Sequence, residues 1–222
     1  MQDATTQATA VANAQANLVC TQSNNTQQIV FTGNSGTTTG APYPTVQYVS
    51  QAGTVNQVVV NVNGLQFETP SQISLLLVSP SGRCCMLMQS CQSGSNMGSW
   101  YNGSPNPNPL GLYIVFTDSA TDTLQAIGST TTQGKPIVGS GASHVGPTHP
   151  ITVKPYAALS STQLSFPGCV QKIIQAEGGT VPTALSTFIG DTSAGSWSLW
   201  AIQIGGDGYA GAILSGWSLT IT

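Results

Sequence analysis

The chain has 222 residues, 40% of them hydrophobic, yet only 5% are charged: four basic residues against seven acids, where a soluble domain usually carries about a quarter. Four scattered cations, Arg83, Lys135, Lys154 and Lys172, exclude a phosphate-backbone footprint and a polybasic membrane patch, and no run of ~18 apolar residues is present to span a bilayer. The length supports one large domain, or one domain with an arm, solubilised by Ser, Thr, Asn and Gln rather than by charge.

Residues 1–27 are Ala, Thr, Gln and Asn with almost no large apolar side chain. AVANAQANLV is long enough only for a marginal helix, so this segment is expected to be an N-terminal arm, ordered when docked. The stretch MQDATTQATAVANAQANLVC lacks a basic n-region and an apolar h-region, unlike an intact secretory signal. Either Met1 heads a mature exported chain, or the protein leaves its cell by another route, such as virion release.

A strand signal starts at QIVF (residues 28–31), followed by the loop GNSGTTTGAPYP. In TVNQVVVNVNGL, Val55, Val58, Val60 and Val62 fall largely in period two, the mark of a half-buried strand. TPSQISLLLVSPSGRCCMLM reads as strand, tight turn and strand, and its continuous run ISLLLV suits a central strand covered on both faces. YIVFTD is a further strand, and residues 121–187 read as long loops over a core. SWSLWAIQIGG and AILSGWSLTIT are expected to form a hairpin in which Trp197, Leu199, Trp217 and Leu219 alternate with serines. The class is all-β, a β-sandwich over residues 28–222.

The order of these pieces resembles a known family. APYPTVQYV, GTVNQVVVNVNGL, PSQISLLLVSPSG, MLM, VFTDSA, LSTFIGDTSAGSWSLWAIQIGGDG and GWSLTIT, over roughly residues 41–222, are similar to the P domain (Homo B domain) beside subtilisin-like proprotein convertases, particularly its bacterial surface-protein relatives. The resemblance implies a jelly-roll β-sandwich and a calcium site. It also implies acids where this chain has Ser71, Gln72 and Ser74, and again where it has Gln203 and Ile204. Calcium takes about six to eight oxygens, several from carboxylates, so the implied site is lost or weak. Asp118 and Asp207 match family acids and remain as residual metal candidates, although turn hydrogen bonding is the favoured role for both. No other cofactor is expected.

Five cysteines, Cys20, Cys84, Cys85, Cys91 and Cys169, leave at least one unpaired within the chain. They lack the paired Cys-x-x-Cys knuckles of a zinc site, and Cys84 and Cys85 should face opposite sides of a strand. GDGYAG satisfies G-x-G-x-x-G, but strand follows where a dinucleotide site needs a helix. His144 and His149 lie in a Gly/Pro loop with no G-x-S-x-G elbow, and Glu68 and Glu177 sit in no aromatic-rich cleft motif. No active site is expected. Trp197 and Trp217 match family core positions. Trp200, out of phase with Trp197, and Trp100 and Tyr101 in the loop GSWYNGSPNPNP are the contact candidates.

The composition and motifs lead to a non-enzymatic structural module, expected as a virion component (capsid decoration, spike or tail protein) or a surface or filament subunit. It would act as a homo-oligomer through the arm and the sandwich surface, without nucleic acid or membrane insertion, in a virion or at the extracellular cell surface. The rival is an exported accessory or adhesion domain attached to, or supporting, a secreted protease or carbohydrate-active enzyme.

Overall fold

The computed structural model describes residues 21–33, 36–66, 72–89, 91, 111–124, 148, 150–157, 166–168, 181–204 and 211–222. These form thirteen strands: β1 (Thr21–Asn25), β2 (Ile29–Phe31), β3 (Thr38–Thr39), β4 (Thr45–Val49), β5 (Val58–Gln66), β6 (Ile73–Val78), β7 (Cys84–Gln89), β8 (Leu112–Phe116), β9 (Ile151–Val153), β10 (Tyr156–Ala157), β11 (Gly195–Gln203), β12 (Gly211–Ile213) and β13 (Trp217–Ile221). No helix among the described residues is long and apolar enough to cross a membrane.

Several strands are two halves of one row. β12 and β13 pair with successive stretches of the same side of β5, and β2 and β1 pair with β12 and β13 in turn. β3 and β4 likewise share one side of β11. The first sheet then runs β1/β2, β13/β12, β5, β8, with β9 added in parallel at the end. The second runs β3/β4, β11, β6, β7, with β10 added in parallel. Counted as rows in chain order, the sheets read 1-8-3-6 and 2-7-4-5, the order of a jelly roll.

The sequence pattern explains which faces are covered. β5 alternates buried and half-buried residues, Val58, Val60 and Val62 pointing inward and Asn61 and Asn63 outward. All six residues of β6 are buried, because the second sheet is covered twice. Ile73, Leu75 and Leu77 join the layer between the sheets, whereas Leu76 and Val78 join an outer layer with Met86, Phe166 and Val181. The adjacent cysteines divide in the same way, Cys84 to the outer layer and Cys85 to the inner, as strand alternation requires.

Two tryptophans organise the inner layer, and both are fully buried. Trp197 stacks edge-on against Phe188 (centroids 5.2 Å apart) and donates its indole N–H to the Ser193 carbonyl at 2.9 Å. Trp217 donates to Thr45 Oγ1 at 2.8 Å, and its carbonyl accepts from Gln47 Nε2 at 2.7 Å. Thr45 and Gln47 belong to β4 and Trp217 to β13, so these bonds stitch the two sheets along one edge. The β6–β7 turn is closed by Ser79 N–H to the Arg83 carbonyl (2.9 Å) and Gly82 N–H to the Ser79 carbonyl (3.0 Å). Gly82 has φ +89° there, a conformation open to glycine at no steric cost.

One expectation is corrected. β11 and the pair β12/β13 are not a hairpin: they lie in opposite sheets and contribute side chains to the core between them. Alternation shows that both runs bury one face but cannot show whether that is a shared sheet or two facing ones. Within the segment expected as an arm, Thr21–Asn25 dock by pairing along β13. This strand buries none of its described side chains, so it is held by main-chain bonds that a polar sequence does not announce.

Candidate functional site

Several of the described groups with chemical potential are committed inside the fold. Burial pushes the Cys91 thiol up to about 12, and the thiol donates to the Tyr156 carbonyl at 3.9 Å. Cys85 is held well above its usual value by burial first, then by the Asp118 carboxylate and the Cys84 thiol. Neither can present a thiolate at neutral pH. Asp191 accepts from Ser81 Oγ at 2.6 Å and pairs with Arg83 Nη1 at 3.3 Å, while that guanidinium also donates to the Thr187 carbonyl at 3.0 Å. This set clamps the β6–β7 turn to the loop that holds Thr187 and Asp191.

Asp118 follows β8 and reaches the start of the 3-10 turn Leu185–Phe188. Its Oδ1 accepts from Leu185 N–H at 2.9 Å and its Oδ2 from Ser186 N–H at 2.7 Å. Ala184, at the local cap position, supplies no side-chain bond, so Asp118 caps this turn from 67 residues away. Among the described residues no group of three His, Cys, Asp or Glu side chains is placed to hold a metal ion. Asp207, Trp100 and Tyr101 lie outside the described residues, as do His144, His149, Cys20, Cys169, Glu68, Glu177 and Ser71.

Trp200, a contact candidate from its phase, is instead buried, at 7% exposure. It does face away from the inner layer, but that side of the second sheet is covered. Tyr43 meets its ring edge-on at 5.0 Å, Phe166 and Val181 pack in the same layer, and its indole N–H bonds Ser198 Oγ at 3.0 Å.

The outward face of the first sheet is only partly covered among the described residues, with Asn61, Asn63, Tyr113 and Val115 half-buried. A trough of about 400 Å³ crosses it from β1 to β8, over the residues Asn24, Ser218, Asn61, Asn63, Tyr113 and Val115. Register places Asn24, Ser218, Asn61 and Val115 side by side on four adjacent strands, and Asn63 opposite Tyr113. Three strand spacings make the trough roughly 14 Å wide. Asn61 Nδ2 donates to Ser218 Oγ at 2.9 Å. Among the described residues no carboxylate, ammonium or guanidinium lines it.

Of the five asparagines among the described residues, four border this trough, three of them on its face; Asn25 is out of phase, donating to the Val46 carbonyl at 3.1 Å and accepting from Gln27 N–H at 2.9 Å. Asparagine is depleted from strands, yet Asn61 and Asn63 sit in the middle of the valine-rich β5. The signal missed in the sequence was therefore VVVNVN: a strand whose outward positions are filled by a poor strand former.

No family model matches the chain, and no curated protein matches it. Among solved structures, the chain is similar to the serine protease of Aeromonas sobria at 12% identity, with 94% of this chain covered and a TM-score of 0.36. It is similar at 12% identity, over 96% of this chain and with a TM-score of 0.35, to the crystal structure of that protease in complex with the chaperone ORF2. In both cases the chain spans 28% of the length of the chain it matches.

Proposed function

We propose that the protein is a non-enzymatic structural module of the P-domain kind. It works by surface contact between copies, as a component of a virion or of a cell surface or filament, and needs no cofactor. The observation that carries this reading is β4. Among the described residues it is the last strand on its side of the second sheet; the Val46 carbonyl accepts from Asn25 Nδ2 at 3.1 Å, and the strand carries Val46 at 47% and Tyr48 at 70% exposure, with no charge in TVQYV. Single exposed apolar residues are ordinary on soluble proteins. An uncharged edge strand with two of them, i and i+2 on one face, is what monomeric proteins avoid, because such an edge pairs with other chains.

The low overall charge points the same way, since little repulsion opposes close packing of identical surfaces. The test is the mass of the full chain in solution by light scattering across its soluble concentration range, beside Tyr48→Lys and Val46→Lys. Self-association that both substitutions suppress supports the reading. A chain that stays monomeric at its highest soluble concentration, or one whose association ignores both lysines, overturns it.

A further inference from the structure

We infer that the trough on the first sheet is a binding site for a neutral oligosaccharide. It lies on the sheet opposite β4 and stands apart from the assembly reading. Three observations converge. Among the described residues the lining offers amides and hydroxyls without an ionised group, so a charged ligand would lose its hydration there without a counter-charge. Three of the five described asparagines, Asn24, Asn61 and Asn63, share its face, all of them at strand positions that asparagine disfavours. The half-buried ring of Tyr113 lies opposite Asn63, in the same trough.

These groups match the chemistry of sugars. An asparagine amide presents a carbonyl acceptor and an N–H₂ donor a short distance apart, which suits vicinal hydroxyls that each donate and accept. An aromatic ring offers an apolar face for sugar C–H groups while its hydroxyl stays wet. Asn61 and Ser218 are joined to each other, which fixes one amide in orientation before any ligand arrives. A polar outward face alone would be served as well by threonine, which favours strands; a cluster of asparagines asks for a ligand that reads amides. The volume falls within the usual range of small-molecule sites, roughly 300–1,000 Å³, and the open shape suits a chain rather than an enclosed single ring.

The test is isothermal titration of the full-length protein with cello-, chito-, malto- and manno-hexaose, with a sialylated oligosaccharide as the anionic comparison. Saturable binding of at least one neutral hexaose is expected. It should weaken roughly three- to tenfold in each of Asn63→Ala and Asn24→Ala, weaken again in Tyr113→Ala, and stay unchanged between low and high salt. Asn24 is exposed on an edge strand, so its variant keeps the fold, and a thermal melt of each variant checks this. No saturable binding by any neutral hexaose overturns the inference. So does binding undiminished in all three variants, or preference for the anionic sugar. Repeating the titration on Tyr48→Lys separates the two readings: sugar binding that survives loss of self-association, or the reverse, identifies which has failed.

Discussion

Replacing Asp118 by alanine removes the remote cap of the 3-10 turn and leaves two N–H donors, those of Leu185 and Ser186, without their carboxylate partners. A hydrogen bond to a charged acceptor is worth about 1.5–3 kcal/mol. Asp118 is half-buried and Ser186 exposed, so water replaces part of that loss, and Asp118→Ala is expected to cost about 2–3 kcal/mol in all. Asp118→Asn keeps one carbonyl acceptor but turns an N–H₂ group toward the other donor, so it should cost about half as much. Urea unfolding of the three proteins, each in calcium and in a chelator, reads both the size and the cause. Equal losses in the two conditions fit a cap. A loss below ~0.5 kcal/mol, or a stabilisation by calcium present in the parent and absent from Asp118→Ala, would refute the assignment and return Asp118 to the metal site that the family resemblance implies.

Two further outcomes follow from the same geometry. Because burial raises the Cys91 thiol from its ordinary 9.0 to about 12, the unfolded chain releases this proton before the folded one does. Stability from this group is therefore complete below about pH 9 and falls by up to ~1.4 kcal/mol per pH unit between those values; Cys91→Ala should flatten the slope in denaturant titrations at pH 8 to 11. Asn63→Thr puts a better strand former on the outward face of β5 and is expected to stabilise the fold by a few tenths up to ~1 kcal/mol while weakening sugar binding, measured by melting and calorimetry together.

The parts of the fold legible in the sequence were those written in burial. Val58, Val60 and Val62 announced a one-faced strand, and ISLLLV announced one covered on both faces; the tight turn at Ser79–Arg83 was equally plain. Relations between distant segments were not legible. The burial of Trp200 depends on Phe166 and Val181 folding over the second sheet, and the hairpin expected of β11 and β12/β13 failed because either of two sheets satisfies the same alternation. β1 escaped notice because backbone pairing leaves no apolar trace. The trough went unread: Asn61 and Asn63 passed as the polar half of an alternating strand, and Asn24 and Tyr113 join them only through the register of four strands.

The contact proposed for β4 can be located directly by amide hydrogen exchange of the full chain, dilute and concentrated. Assembly through this edge requires that those amides of Thr45–Val49 that do not bond β11 gain protection on concentration, with the outward face of β5 unchanged. Exchange that is identical at both concentrations, or protection gained elsewhere while β4 stays open, would contradict it.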